Sequence, residues 1–339
     1  MSEPGVDDLS KIRSAMKAGQ FSDALSYSET VLNQDPEQAD VLYMAAVSAR
    51  YLKKIDRAEH YLRRLKEVSP DFGRAFQEEG HLALATGQTA RAVSAFRLAV
   101  RYNPALTASW IKLSELCAAT GDEKGAQEAH AQWQRLTALP RELIAVLNHI
   151  HEGRVLRAEE IVRAYLQKHP RDVEGMRLLA DIGSRLSVLT DADFLLETAI
   201  ELEPENLQLR IDHIQVLRKR QKYDAAKAQA EFLYDKDPQS PLFQSLLAIE
   251  TMHAGEIERS LGLFEDVLKV LPDDLAALTS RGHAMKTYGK TDEAIASYKR
   301  ALSVSPLHGD AWYALANLKT YEFSEAELDQ MRLALQSTD

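Results

Sequence analysis

Residues 73–104 read GRAFQEEGHLALATGQTARAVSAFRLAVRYNP, and this stretch decides the fold. Phe76 and Gly80 belong to one helix, Gly87 to a turn, and Ala92, Phe96 and Ala99 to a second helix, with Pro104 at the exit. Glycine at the turn supplies a positive φ without steric cost. Proline at the exit cannot continue a helix, and it biases the residue before it away from helical geometry. Outward from this stretch, proline recurs at Pro36, Pro70, Pro104, Pro140, Pro170, Pro204, Pro238, Pro272 and Pro306. Six of the eight intervals are 34 residues; the two around Pro140 are 36 and 30. A fixed period of this kind predicts stacked helix pairs, each burying its apolar face against its neighbours.

Placing each proline at the end of a unit puts unit starts near Gly5, Ala39, Gly73, Thr107, Leu139, Val173, Leu207, Pro241 and Leu275, with a partial tenth from Gly309. One position of the second helix is then alanine eight times: Ala24, Ala58, Ala92, Ala126, Ala158, Ala192, Ala226 and Ala294. Small residues are needed where antiparallel helices cross closely, because a larger side chain forces them apart. The ninth unit repeats the third, with Gly282, Gly289, Ala294, Tyr298, Ala301 and Pro306. The polar residues beside the prolines (Asp35, Ser69, Glu203, Asp237, Ser305) suit capping and turn roles. Two helices per unit predict 19 to 20 helices and no sheet.

These residues and their 34-residue spacing resemble the tetratricopeptide repeat. The resemblance implies an all-α, right-handed superhelical solenoid of antiparallel helix pairs that holds a protein or peptide on its concave face. On this reading residues 1–339 form one solenoid, nine repeats plus a partial tenth and a C-terminal helix. The fourth unit is two residues short, and polar Glu142 stands where the fifth needs an apolar anchor. A pitch change or sub-array boundary is therefore expected near residues 136–142.

Composition narrows the function. Apolar residues make up 45% of the 339, enough for a continuous core. The net charge of −10 argues against a nucleic-acid partner, which requires a basic footprint. Cys117 is the single cysteine, so no internal disulfide is possible. No apolar run approaches the roughly 18 residues needed to span a bilayer. The acidic N-terminus lacks the apolar core of a signal peptide, and a cytoplasmic protein is expected.

Apparent chemistry along the chain dissolves on inspection. Gly289-Lys290-Thr291 ends like a phosphate-binding loop, but Ala284 stands where its first glycine belongs, and the triplet lies between two helices. His149 and His151 are two apart and face different ways on a helix, and His151-Glu152 lacks the second histidine of a zinc protease motif. Gly183-Ser184-Arg185-Leu186-Ser187 superficially suggests a phosphate loop but sits in the first turn region of the sixth unit. Cys117 sits at a packing position and reads as a small buried hydrophobe. No catalytic, cofactor or metal residue is assigned, and no enzyme activity is expected of this chain.

The first helix of each repeat lines the concave face in the family this chain resembles. Its inward positions carry ten cations, among them Arg50, Arg74, Arg177, Arg185, Arg218 and Lys219, against seven acids. Tyr43, Tyr51, Tyr313 and Tyr321 add aromatic surface. A modestly basic groove favours an acidic segment of a partner. The run Arg218-Lys219-Arg220 with Lys222 reads first as cations at a helix C-terminus and alternatively as an anion-binding patch. Two specialised grooves are excluded by residue. No first helix carries the Lys/Asn pair of the chaperone-tail clamp, and no asparagine ladder is present.

Residues 309–324, with Ala311-Trp312, Leu315-Ala316-Asn317-Leu318-Lys319-Thr320 and Phe323-Ser324, resemble the segment that closes the repeat array of bacterial tetratricopeptide–sulfotransferase fusions. That resemblance implies a substrate-recruiting array, with the catalytic domain and its phosphosulfate loop outside this chain. Enzyme parentage and a purely structural scaffold are the alternatives. Ser324 to Gln336 is expected to form a final helix, opened by a capping box of Ser324 and Glu327.

Overall fold

The computed structural model describes residues 4–336, and among them it holds twenty helices and no strand. The expected all-α array of antiparallel pairs is what the chain forms. The chain divides after Pro170 into two compact units.

The first unit contains α1 Pro4–Lys17, α2 Phe21–Leu32, α3 Ala39–Tyr51, α4 Ile55–Val68, α5 Gly73–Ala85, α6 Thr89–Tyr102, α7 Thr107–Ala119, α8 Glu123–Thr137, α9 Arg141–His151 and α10 Val155–Lys168. The second contains α11 Val173–Arg185, α12 Leu189–Leu202, α13 Leu207–Lys219, α14 Tyr223–Lys236, α15 Pro241–His253, α16 Ile257–Val270, α17 Leu275–Thr287, α18 Thr291–Val304, α19 Gly309–Ala316 and α20 Glu325–Gln336.

The turn inside each of the first nine pairs rests on one residue at positive φ. Six of these are glycines, including Gly87 at 74° and Gly153 at 72°. Lys53, Ser187 and Gln221 hold the same place at 58°, 63° and 58°, a backbone region that L-residues enter at a cost.

Most of the polar residues beside the prolines do not cap the following helix. Ser69, Glu203, Asp237 and Ser305 instead follow the last turns of α4, α12, α14 and α18. The proline exit comes too early for them to reach the next N-terminus. Asp237 still serves a turn, accepting from the Gln239 N–H at 3.1 Å. N-terminal caps are supplied by Asp122, Asp172 and Asp274, each accepting an N–H three residues on at 2.7–3.0 Å.

The alanine position is the crossing point of the pairs. Ala24, Ala58, Ala92, Ala158, Ala192, Ala226 and Ala294 are all buried, while Ala126 is half-buried. Ser260 takes this place in the eighth pair, and its hydroxyl donates to the Ala248 carbonyl at 2.7 Å. One turn further along the same helices, the rings of Phe96 and Tyr298, both fully buried, pack against Gly80 and Gly282 of the partner helices. Each large apolar side chain buried in this way contributes roughly 1.5–3 kcal/mol.

A second device fixes successive pairs. Trp110 Nε1 donates to the Pro104 carbonyl at 2.7 Å, Gln244 Nε2 to Pro238 at 2.8 Å and Trp312 Nε1 to Pro306 at 2.9 Å. The exit proline thus receives a side-chain donor from the helix that follows it.

Regular stacking is interrupted at α8. This helix runs on to Thr137, α9 starts only at Arg141, and the two make little contact. α9 instead pairs with α10, burying Leu143, Val146 and Ile150 on one face and Ala158 and Val162 on the other.

At the end of the second unit, α19 stops at Ala316. The segment after it folds Phe323 toward Trp312, 6.3 Å between ring centroids. Ser324 and Glu327 form the expected capping box: the Ser324 N–H donates to the Glu327 carboxylate at 2.9 Å, and the Glu327 N–H to the Ser324 hydroxyl at 3.4 Å. Hydrogen bonds from Tyr321 and Ser324 hold the Glu327 carboxyl down to about 2. Met331 of α20 packs on the core, but Leu328 and Leu335 remain exposed. Among the described residues no helix is long and apolar enough to cross a membrane.

Candidate functional site

The candidate face is built from the first helices of the pairs, which carry the residues singled out in the sequence. In the first unit Arg50 lies in the last turn of α3. Its Nε donates to Glu78 at 2.6 Å, and its guanidinium sits 4.5 Å over the Tyr51 ring. Tyr51 stacks on Phe21 at 4.2 Å yet keeps 54% of its surface exposed. Tyr43 lies lower on α3, edge-on to Phe72 at 5.8 Å. Burial pushes its phenol up to about 12, and the nearby carboxylate of Glu78 acts in the same direction.

A feature absent from the sequence reading crosses this face. The end of α9 and its connection to α10 run along the first turns of α3 and α5 and the loop before α7. Asn148 Oδ1 accepts from Asn103 Nδ2 at 3.0 Å, and Asn148 Nδ2 reaches the Ala105 carbonyl at 3.4 Å. Glu152 pairs with Arg74, and Arg154 pairs with Asp40. These partners are 45, 43, 78 and 114 residues apart in sequence. Asp40 also holds Arg13 at 3.5 Å. The signals for this arrangement were the short fourth unit and the acid–glycine–base order of Glu152-Gly153-Arg154. Neither names the partner residues.

In the second unit the expected groove cations all have partners. Arg177 forks onto Glu174 at 2.6 and 2.7 Å and reaches Asp212 at 3.1 Å. The hydrogen bonds to Glu174 hold its guanidinium above its ordinary range. Arg185 pairs with Asp181 at 3.0 Å. Arg218 donates to Glu250 at 2.8 Å, a carboxylate with no exposed surface. Lys219 is held by neutral oxygens, the Ser184 hydroxyl at 2.8 Å and its carbonyl at 3.2 Å. Arg220 and Lys222 both engage Asp193. The basic run therefore serves mainly as counter-charge to buried carboxylates.

Tyr313 and Tyr321 separate. Tyr313 projects from α19 with 72% of its surface exposed. Tyr321 lies beyond the end of that helix and so is not a first-helix residue. Its ring packs on Phe323 at 5.0 Å, and its hydroxyl donates to Glu327 at 2.6 Å. The early end of α19, not visible in the repeat register, places it there.

One cluster has metal-ligating types. Donor atoms of Asp193, Glu197 and His213 all lie within 4.8 Å of one another. Asp193 Oδ1 is 2.6 Å from His213 Nε2, and its other oxygen receives both Arg220 and Lys222. A carboxylate already neutralised by two cations is a poor metal ligand, so the cluster is an ion-pair network. Cys117 is buried in the core between α5, α6 and α7, and Gly289 forms a turn between helices at φ 84°. Neither placement supplies a reactive constellation.

Tetratricopeptide-repeat family models match residues 15–77, 73–106 and 288–318. No curated protein matches the chain. Solved structures with a similar fold include MamA from Desulfovibrio magneticus RS-1, 13% identical over 50% of this chain and 98% of its own, at a TM-score of 0.44. The APC/C hetero-tetramer Cut9–Hcn1 is 17% identical over 84% of this chain and 57% of that one, at 0.40. YrrB, described as a TPR protein with an unusual peptide-binding site, is 15% identical over 66% and 98%, at 0.41. None of these likenesses bears on what the present chain binds.

Proposed function

We propose that this tetratricopeptide-repeat chain is a non-catalytic scaffold that binds a protein or peptide segment on its first-helix face. The observation that carries the reading is Tyr313, a large aromatic side chain on a first helix with 72% of its surface open. Tyr51 offers the same chemistry in the first unit, beside the Arg50 guanidinium. Rigid, amphipathic aromatic side chains on a helical array supply contact area at small entropic cost and are enriched among binding hot spots.

Acidic segments are the proposed ligands of the second unit, through Arg177, Arg185, Arg218 and Lys219. Three of the four already face carboxylates, so an acidic ligand competes with internal partners there. Lys219 is the cation whose recorded contacts leave its charge uncompensated. The finer assignment, recruitment of substrates to a sulfotransferase, rests on the likeness of residues 309–324 described above. The chain as an enzyme fragment and as an assembly scaffold are the other readings.

Surface-based kinetics on the immobilised chain tests the scaffold reading, with matched acidic and neutral peptides at two ionic strengths. Saturable binding that weakens in Tyr313→Ala supports it, and a steeper salt dependence for the acidic peptide supports the charge assignment. No saturable binding to any peptide of a broad array refutes the scaffold.

A further inference from the structure

We infer that Glu152-Gly153-Arg154 occupies, from within the chain, the site at which the first unit takes an acid–X–base segment of a partner protein. The inference rests on the peptide-binding reading above and names the chemistry of the segment.

Repeat packing alone produces contacts between neighbours about 34 residues apart. The pairs Glu152–Arg74 and Arg154–Asp40 span 78 and 114 residues, so they lie outside that pattern. They place the connecting turn against two successive units, at the first turns of α3 and α5, and Asn148, near the end of α9, reaches the loop before α7. That is how an extended ligand would lie, touching consecutive repeats in order. The step from α8 to α9 does not dictate it, because those two helices make little contact.

The receptor groups read as a recognition pattern. Arg74 takes a carboxylate, Asp40 takes a cation two residues later, and Asn103 with the Ala105 carbonyl takes an amide four residues before the acid. The intervening position has room for a side chain, since a Cβ at Gly153 would meet nothing within 4 Å, but its φ of 72° favours glycine there. Glu152 is the enclosed member: its side chain is 6% exposed, while Arg74, Asp40 and Arg154 keep 33%, 30% and 35% of theirs. An incoming acid–X–base segment offers the same charged donors and acceptors, so it can replace these contacts with an equivalent set. The turn acts as a resident competitor. It lowers apparent affinity by the fraction of time it is seated.

The probe is a fluorescent peptide with the sequence of residues 145–157, AVLNHIHEGRVLR, and a version with its order scrambled. Anisotropy is measured on the full chain as wild type, as E152A/R154A, and as E152A/R154A with D40A/R74A, each checked for helicity by circular dichroism. The expected result is at least tenfold tighter binding to E152A/R154A than to wild type, absent for the scrambled peptide and lost in the quadruple variant. Equal affinity for wild type and E152A/R154A, or a gain that survives D40A/R74A, overturns the inference. If E152A/R154A fails to fold, hydrogen exchange on the wild type decides. Millimolar peptide should speed exchange at Gly153 and Arg154 at least fivefold, and unchanged exchange overturns it. A chain that binds array peptides yet shows no such response fails this inference alone; a chain that binds no peptide at all fails the scaffold reading.

Discussion

The ring of Phe96 lies 2.8 Å from the point where a Cβ on Gly80 would stand. The α5–α6 crossing is therefore filled, and a single methyl group has no room. Gly80→Ala is expected to destabilise the first unit by about 1–3 kcal/mol through overpacking. Gly262, inside α16 with nothing within 4 Å of its Cβ position, is the counter-case. Gly262→Ala should stabilise by about 0.5–1 kcal/mol through helix propensity. Urea midpoints of the two variants should move in opposite directions.

Arg218 and Glu250 form a pair in which the carboxylate has no exposed surface and one oxygen, Oε2, has no hydrogen-bond partner. Removing the guanidinium strands that charge. Arg218→Ala should cost about 3 kcal/mol, the low end for a broken buried pair because the arginine is partly exposed. Arg218→Ala combined with Glu250→Gln should lose less than the single change. A double variant as unstable as the sum of its parts would show that the two are not coupled. Charge reversal at Arg218 therefore perturbs folding and cannot serve alone as a test of ligand charge.

Burial raises the phenols of Tyr43 and Tyr298 to about 12. An unfolded tyrosine titrates near 10. The folded state therefore holds these protons more tightly. Their contribution to stability is complete below about pH 10 and is lost as pH rises toward 12. The urea midpoint should fall steeply across that window. Tyr298→Phe should show a shallower fall, measured relative to its own midpoint at neutral pH.

Ser187 and Gln221 stand at φ 63° and 58°, where six other pairs place glycine. Ser187→Gly and Gln221→Gly should each raise stability of the second unit by up to about 1 kcal/mol, because the left-handed region is costly for an L-residue. Gly87→Ala in the first unit should show the reverse. Thermal midpoints unchanged in all three variants would mean that the turns relax without strain.

The 34-residue proline pitch and the alanine phase were enough to place most helix starts, including Ala39, Gly73, Thr107, Val173, Leu207, Pro241, Leu275 and Gly309. Local rules set these positions, since each pair depends on its own turn, crossing and exit. What the sequence did not disclose was pairing at a distance. Glu152 was read beside His151 as part of a false metal motif, and its partner Arg74 as one groove cation among ten. Nothing in a periodic pattern says that they meet. Tyr321 was assigned by register to a first helix, but α19 ends at Ala316, and the Trp312–Phe323 packing draws the chain off the helical path. The counter-charges of Arg218 and Arg220, and Asp212 beside Arg177, were likewise invisible, because each of these carboxylates comes from a different helix; Glu174 lies three residues from Arg177 on the same helix.

The bond between Arg154 and Asp40 also sets a schedule for biosynthesis. Helix pairs need only nearby sequence and can form as each emerges, since local contacts close quickly. Asp40 can meet Arg13 at once, but its bond to Arg154 waits for a residue made 114 positions later. At a translation rate of about 5–20 residues per second, that interval is roughly 6–23 s. During it the first turns of α3 and α5 stand uncovered on the nascent chain. Any acid–base segment near the ribosome meets them before the chain's own turn has been made.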